Sequence, residues 1–328
     1  MIDIHGHLFH PRWYPAPFQE AMLRDFQQRL PPSGQRPDQP AIARQLYKML
    51  TDDTGAATVR IMDKIGIEKR VILILDWGVE LGEAENSIWD IHREILGICR
   101  QFNDRLIGFA GMDPRRSDAA DLLVWAFDEM GARGLKFHTG GWRLNDSRTY
   151  DVVGLAAERK LPVLVHLGKT VDVLSDANAQ PAPFLELASR FPHIPFIAGH
   201  SGFDRWEAFL TADSVPSNVY FDISGWQERI RGDGANIIAD LTRLHAAFPG
   251  RVCFGTDSPF YSFNLIMSEK QWLERIVPPF NGKWADVEPL LCGGTQPALL
   301  CQPQTQQLGR FKPAPRQSKS SPNHKREE

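Results

Sequence analysis

Long hydrophobic runs are missing from this sequence of 328 residues. The longest purely aliphatic stretch spans residues 71–75, whereas a helix needs about 20 apolar residues to cross a bilayer. The first residues also lack the basic segment and apolar run of a secretory signal. Neither sign of charge dominates, because 37 Lys and Arg stand against 40 Asp and Glu, a net charge of −3. The sequence therefore predicts neither a membrane span nor a surface for nucleic acid.

Cysteine is scarce as well. The four cysteines form no C-x-x-C pair, and Cys99 and Cys253 sit among apolar residues. This is typical of buried thiols in a reducing compartment, so we expect a cytoplasmic protein. No G-x-G-x-x-G loop follows the first predicted strand, which disfavours a dinucleotide-binding dehydrogenase.

Eight short apolar runs, rich in β-branched residues, alternate with amphipathic helical patterns. Most of the runs are continuous, as parallel strands covered on both faces are. One helical pattern, for example, repeats isoleucine at residues 88, 91, 95 and 98. Eight such alternations predict a TIM-like (β/α)8 barrel in the α/β class, with a doubly wound open sheet as the alternative. The predicted strands are residues 2–5, 71–75, 107–111, 134–138, 162–166, 195–200, 219–223 and 252–256.

Two segments interrupt this alternation. Residues 8–57 separate the first strand from its predicted helix at 58–66, and they contain two further helical patterns, 18–30 and 41–50. A loop this long is usually functional, and in a barrel we expect it over the mouth of the active site. Residues 303–328 are rich in Gln, Pro and Ser and predict a disordered tail. We therefore divide the chain into a barrel domain, 1–302, and this tail.

Single polar residues follow the apolar strands where the barrel opens. His5 and His7 are two residues apart at the end of the first strand, so their side chains share one face of extended chain. His166, His200 and Asp257 end three later strands. Imidazoles and a carboxylate that converge from several strands are typical zinc ligands. The pattern predicts a metal centre at the barrel mouth.

Five motifs containing these residues occur in order within about residues 1–300. In order and spacing they resemble the amidohydrolase superfamily, specifically the amidohydrolase-related (amidohydrolase 2) family that includes aminocarboxymuconate-semialdehyde-type decarboxylases. They do not identify a substrate. The motifs are Asp3-Ile4-His5-Gly6-His7, Gly134-Leu135-Lys136-Phe137-His138, Pro162-Val163-Leu164-Val165-His166, Gly199-His200-Ser201-Gly202 and Phe254-Gly255-Thr256-Asp257-Ser258-Pro259.

The resemblance implies one divalent metal ion, usually zinc. It also implies that His200 is the catalytic acid/base or polarises a carbonyl, and that Asp257 exchanges protons with water. In binuclear members of the superfamily, a lysine at the position of Lys136 is carbamylated and bridges a second metal; we favour one metal. No ligand position is missing, which disfavours a barrel that only binds a partner. The implied metal ligands are His5, His7, His166 and Asp257.

Such a site serves two reactions on a small-molecule substrate. We favour hydrolysis of an amide, ester or lactone-like bond by a metal-activated water. The alternative is non-oxidative decarboxylation, which needs a cationic clamp for the carboxylate. Arg143, in a glycine-rich loop after the fourth strand, is the best candidate for the clamp; Arg148, Lys169 and, in the long first loop, Arg12 are the others. Trp77 and His138 are further candidates for substrate contacts. Barrels of this type commonly dimerise, so a homodimer is one possible oligomeric state.

Overall fold

Eight parallel strands follow one another around a sheet in the order of the sequence, each hydrogen-bonded to the next. The arrangement is that of a computed structural model, which describes residues 1–30, 38–229, 236–260 and 268–291. Every apolar run predicted as a strand contributes one strand. They are β1 Ile2–Gly6, β2 Lys69–Leu73, β3 Leu106–Gly111, β4 Leu135–His138, β5 Val163–His166, β6 Phe196–Gly199, β7 Val219–Asp222 and β8 Val252–Cys253.

The first and last strands meet at a seam that closes the sheet. The backbone N–H of Ile4 donates to the Phe254 carbonyl (3.0 Å), and the N–H of Asp257 donates to the His5 carbonyl (2.8 Å). A parallel bridge also joins Gly6 to Ser258. An open sheet would leave both of these edges unpaired, so the predicted (β/α)8 barrel is confirmed.

Apolar side chains fill the interior of the barrel beneath its mouth. Because a filled barrel has no channel, a ligand reaches it only at the carboxyl ends of the strands, where the loops that follow them form the mouth. The interior side chains include Ile4, Val71, Leu73, Phe109, Leu164, Ile197 and Cys253.

Helices cover the outside of the barrel and bury the faces that the sequence predicted. In the helix Ile88–Gln101, all four isoleucines of the predicted face are buried. The described helices are Ala16–Arg29, Gln39–Leu50, Ala56–Ile65, Gly78–Leu81, Ile88–Gln101, Ala119–Asp128, Ser147–Glu158, Pro181–Arg190, Glu207–Thr211, Asn236–Ala247, Glu269–Ile276 and Glu288–Leu291; short 3-10 helices lie at Pro11–Trp13, His200–Arg205, Trp226–Arg229 and Pro278–Phe280.

The long insertion after β1 is confirmed and contains both predicted helices. Each begins two residues earlier than predicted, at Ala16 and Gln39, because a proline occupies the first turn of each, where its missing N–H costs nothing. The helix Ala16–Arg29, which we call the roof helix, places Phe18 and Met22 in the wall of a cavity at the barrel mouth. The insertion therefore lies over the mouth, as predicted.

Some predictions fall on residues that the structure does not describe. The disordered tail, residues 303–328, and the domain boundary at 302 both lie beyond Leu291, the last described residue. Within the described ranges, Cys99 and Cys253 are buried free thiols. In those same ranges, no helix combines the length and apolarity that a membrane crossing requires.

A neutral histidine ties one outer helix to the sheet. His92 Nδ1–H donates to the Ile88 carbonyl (2.7 Å), and His92 Nε2 accepts from the backbone N–H of Gly111 (3.1 Å). Both nitrogens are engaged, and the ring is fully buried. Burial, with a smaller effect of the positive Arg116, lowers the pKa of His92 to about 4.

We expect the stability that His92 confers to be lost as the pH falls from about 6.5 toward 4. The unfolded chain binds a proton near the upper value, whereas the folded chain resists protonation down to the lower one, so acid favours unfolding across this window. The expected loss is on the order of 3 kcal/mol. Urea unfolding of the wild type and His92→Gln measures it: the advantage of the wild type should shrink as the pH falls. Parallel stability profiles for the two proteins would contradict this role of His92.

Candidate metal centre

The residues that the sequence singled out as ligands and acid/base converge at one end of the barrel. His5 lies on β1 with His7 just beyond it, His166 ends β5, and His200 and Asp257 follow β6 and β8. All five side chains are buried. They converge because the barrel brings the carboxyl ends of all eight parallel strands to one mouth.

Their polar atoms form a series of close pairs. Asp257 Oδ1 is 3.1 Å from His7 Nε2 and 3.5 Å from His5 Nε2. On the other side, His200 Nε2 is 3.0 Å from His166 Nδ1. The His5 and His200 rings join the two sides, with their centroids 4.7 Å apart. The sequence-predicted ligands therefore form a single cluster.

Hydrogen bonds on the outer side fix the orientation of the two β1 histidines. His5 Nδ1 is 2.5 Å from Asp222 Oδ2, and His7 Nδ1–H donates to the Leu73 carbonyl (2.8 Å). A nitrogen that donates to a carboxylate or carbonyl leaves the other ring nitrogen with its lone pair. The Nε2 atoms of His5 and His7 thus turn their lone pairs toward Asp257.

The other two histidines are held in the same way. His200 Nδ1–H donates to the Ser224 carbonyl (2.9 Å), and His166 Nε2–H donates to the Lys169 carbonyl (3.1 Å). Their inner nitrogens, 3.0 Å apart, therefore both carry lone pairs and cannot hydrogen-bond to each other. A proton or a cation resolves such a contact. The donor set of the cluster fits a bound divalent metal.

Burial and neighbouring charges set the protonation of the cluster. Burial lowers the pKa of His5, His166 and His200 below the usual histidine range, and the positive Lys136 adds to the effect on His5. Burial alone would raise the pKa of Asp257, but the neighbouring histidines, His5 foremost, outweigh it and lower that pKa. Neutral imidazoles beside an ionised carboxylate are the state that a divalent cation requires of its ligands.

Two groups of donor atoms in the described chain have metal-binding spacing, with all atoms of a group within 4.8 Å: His5, His7 and Asp257, and His5, His200 and Asp222. In the second group, Asp222 Oδ2 already contacts His5 Nδ1 and accepts from Ser224 Oγ (2.9 Å). A carboxylate used in this way orients a histidine ligand and is not itself a ligand.

Sequence reasoning missed Asp222, although the signal was present. It ends β7 after an apolar run, just as His166 ends β5. Its carboxylate also accepts from the backbone N–H of Ser224 (2.8 Å) and of His200 (3.3 Å). Asp222 thus connects the first, sixth and seventh strands directly behind the cluster.

Lys136 lies on the inner face of β4, beside the same histidines. Its side chain is buried, and its Nζ is 3.5 Å from His5 Nε2. Burial lowers the pKa of Lys136 to about 8, an effect that Asp257 and Asp222 oppose. The amine is therefore at the cluster, where a second metal or a substrate oxygen would meet it.

Two of the clustered residues have strained backbone. His200 has φ 55° and Asp257 has φ 54°, in the left-handed region that residues other than glycine rarely adopt. Such conformations persist only where the surrounding structure holds them, and they concentrate at functional sites. The two residues are those for which the sequence predicted catalytic roles.

A cavity of about 320 Å³ opens directly above the cluster. Phe18, Trp77, Phe203 and Phe260 line it together with the clustered histidines. These rings give the cavity an apolar wall that suits a small planar molecule. Charged residues lie at its rim: Arg24, Asp25, Arg29, Lys169, Asp172 and Glu228.

The candidate substrate contacts divide into two groups. Trp77 and His138 both line the cavity; their rings meet edge to face at 5.0 Å, and His138 stacks on His166 at 4.0 Å. Arg143, in contrast, is exposed and is absent from the described lining residues. Its carbonyl accepts from the N–H of Asp146 (3.1 Å), so Arg143 belongs to the turn that begins the next helix, and its side chain does not line the cavity.

Comparisons with known proteins agree with this fold. Residues 2–282 match the profile of the amidohydrolase family Amidohydro_2. No curated protein sequence matches the chain.

Three similar crystal structures share the fold. A 5-carboxyvanillate decarboxylase from Novosphingobium aromaticivorans, complexed with manganese and 4-hydroxy-3-methoxy-5-nitrobenzoic acid, has a TM-score of 0.59 and 15% identity over 89% of this chain and 95% of that one. A 2,6-dihydroxybenzoate decarboxylase from Rhizobium has a TM-score of 0.53 and 14% identity over 83% and 94%. A probable 2-pyrone-4,6-dicarboxylic acid hydrolase from Acinetobacter baumannii, with citric acid bound, has a TM-score of 0.51 and 14% identity over 83% and 89%.

At such identities these structures support the fold, and the family rests on the sequence match. That match spans most of the chain and includes every residue of the cluster. The chain therefore belongs to the amidohydrolase family and is one of its metal-dependent enzymes.

Proposed function

We propose that the chain binds one divalent metal ion and that His200 acts beside it as the acid/base. The inward lone pairs of His5, His7 and His166 beside the ionised Asp257 support a cation at this point, and the engagement of Asp222 with His5 supports one ion over two. Three imidazoles and a carboxylate suit zinc. Manganese is the alternative, because a similar structure contains it. The proposed ligands are His5, His7, His166 and Asp257.

We propose non-oxidative decarboxylation of a small planar carboxylate as the reaction. The aromatic wall of the cavity above the cluster carries this proposal, and two decarboxylases are among the similar structures. The sequence alone favoured hydrolysis, because it offered only scattered candidates for the cationic clamp that a decarboxylase needs.

Different residues of the chain would bind the substrate, exclude water and transfer the proton in this reaction. A bound divalent ion supplies Lewis-acid polarisation of a substrate oxygen. Trp77 and Phe260 hold the plane of the substrate, and the roof helix keeps bulk water away from it. The carbon–carboxylate bond breaks and CO2 leaves, and the electron pair left on the carbon takes a proton from His200 Nε2. That nitrogen carries a lone pair in the resting site, so it first accepts this proton from water, and the reaction consumes one solvent proton.

Hydrolysis is the second candidate, and the state of Asp257 favours it. A buried carboxylate with a lowered pKa stays ionised and can accept a proton from water. His200 would then donate a proton to the leaving group. A probable hydrolase is also among the similar structures.

A carboxylate substrate needs a cation at the rim, and Lys169 is our candidate. Arg24 and Arg29 are already paired, with Asp172 at 3.4 Å and with Asp25 and Glu228 at 2.9 and 3.2 Å. The Lys169 ammonium makes no ion pair with a described residue, and it lines the cavity. Lys169 therefore takes the role that the sequence suggested for Arg143.

The ligand assignment predicts different results for His166→Ala and His200→Ala. His166→Ala should lose the metal, because one of four ligands is gone. His200→Ala should keep the fold and most of the metal but lose about 10²–10⁴-fold in activity, the usual contribution of a positioned acid/base. Elemental analysis of both purified variants, with circular dichroism for folding, measures this. Equal metal loss in the two variants would make His200 a ligand and favour a binuclear site.

Turnover in D2O distinguishes the two reactions. With planar aromatic carboxylates such as 5-carboxyvanillate and 2,6-dihydroxybenzoate, we expect CO2 release and one solvent deuteron on the product carbon. Neutral amides, esters and lactones should be turned over poorly. Mass spectrometry of the products and a CO2 assay provide the measurement. Hydrolysis of the neutral substrates, without CO2 release from the carboxylates by the metal-loaded enzyme, would establish the second candidate.

Lys169→Ala and Arg143→Ala form a matched pair for the carboxylate clamp. Lys169→Ala should raise KM for a carboxylate substrate about tenfold, as expected for an exposed charge-assisted hydrogen bond. Arg143→Ala should leave KM and kcat unchanged, because its side chain lies outside the cavity. Steady-state kinetics of both variants show whether Lys169 or Arg143 is the carboxylate clamp. A KM effect confined to Arg143→Ala would restore the assignment based on sequence.

A further inference from the structure

Three buried ionic side chains are linked to one another in the barrel wall, behind the cluster of proposed metal ligands. Arg70 Nε donates to Asp3 Oδ2 (2.8 Å), and Arg70 Nη2 donates to Glu269 Oε2. All three side chains are buried, and Asp3 and Arg70 are almost completely so. Arg70 thus connects a carboxylate on β1 to a carboxylate at the start of the helix Glu269–Ile276.

The two carboxylates hold the residues on either side of Asp257. Asp3 accepts from the backbone N–H of Thr256 (3.0 Å) and from its Oγ1 hydroxyl (2.6 Å). Glu269 Oε1 accepts from Ser258 Oγ (2.6 Å). Asp257 lies between these anchors, so each neighbour of the metal-binding carboxylate is fixed by one of the two acidic side chains.

The anchoring accounts for the strained backbone at this position. A φ of 54° is unfavourable for an aspartate and needs support from outside the residue. The backbone bond of Asp257 to His5 supplies one restraint, and the hydrogen bonds of Thr256 and Ser258 supply the others. Released from them, Asp257 would relax and turn its carboxylate away from the histidines.

Arg70 also lies against the backbone of Gly6, the residue between His5 and His7. A Cβ added to Gly6 would be 2.6 Å from Arg70 Cδ, so glycine leaves room there for the arginine side chain. The same side chain therefore packs on β1 and, through its two acidic partners, anchors the loop that carries Asp257.

We propose that Arg70, bridging Asp3 and Glu269, is a positioning residue that aims the Asp257 carboxylate at the metal. Its role is to set metal affinity through the geometry of a ligand that it does not touch. This inference rests on the proposed metal site. Groups that orient metal ligands typically contribute 10–100-fold to metal affinity or activity.

The test measures metal affinity of the full chain by chelator competition with Zn²⁺ and, separately, with Mn²⁺. Arg70→Met and Glu269→Gln should each raise the metal Kd about 10–100-fold. Arg105→Met is the control: Arg105 binds the Glu68 and Ile67 carbonyls and pairs with Asp63, away from the cluster. The control should bind metal like the wild type, even if its melting temperature falls as far as that of the Arg70 variant.

The milder Ser258→Ala keeps the test decisive if removing Arg70 or the charge of Glu269 prevents folding. It deletes only the hydrogen bond to Glu269 and should still weaken metal binding severalfold. Folded variants with Kd within twofold of the wild type would overturn the positioning role and leave the metal site intact. A wild type that binds neither ion would instead overturn the proposed function itself.

Discussion

The chemistry of this site depends on the hydrogen bond that the outer ring nitrogen of each histidine makes. Hydrogen bonds to Asp222 and to the carbonyls of Leu73, Ser224 and Lys169 fix four rings and turn four lone pairs inward. The acceptors belong to three different strands or the loops beyond them. The barrel therefore fixes which atom each ring presents as well as where the ring lies, and the proposed ligand and acid/base roles depend on that choice of atom.

Neighbouring side chains keep Asp257 ionised, and hydrogen bonds hold its backbone in place; both effects prepare it to bind a cation. Its neighbouring histidines keep it ionised despite burial. Hydrogen bonds to Asp3 and Glu269 hold the residues on either side of it in place. A carboxylate that is both charged and immobile loses little entropy when it binds a cation, and it leaves the substrate to occupy the remaining side of the centre.

Much of this arrangement could be predicted from the sequence, because the pattern of apolar and polar residues is regular. Continuous apolar runs marked the strands, and a polar residue after each run marked the mouth, which placed His5, His166 and Asp257 correctly among the converging residues. The rule did not indicate whether the Arg143 side chain lines the cavity, because distance along the chain from a strand does not tell where a loop turns. Here the turn is set by the hydrogen bonds that start the helix Ser147–Glu158.

The periodicity of the sequence could not predict contacts between strands that are far apart along the chain. Asp222 behind His5 and Arg70 between Asp3 and Glu269 depend on the relative register of several strands. A single sequence shows which residues face inward but not which of them meet.

The seam between β1 and β8 has a consequence for the order in which the protein is made. His5 and Asp257 are joined by a backbone hydrogen bond but stand 252 positions apart in the chain, 257 minus 5. At translation rates of about 5–20 residues per second, the first histidines wait roughly 10–50 s for the aspartate that completes their site. The proposed metal centre therefore cannot be assembled on the nascent chain before the last strand emerges. Metal loading at the proposed ligands would be a late step of biogenesis and would report that the whole barrel has closed.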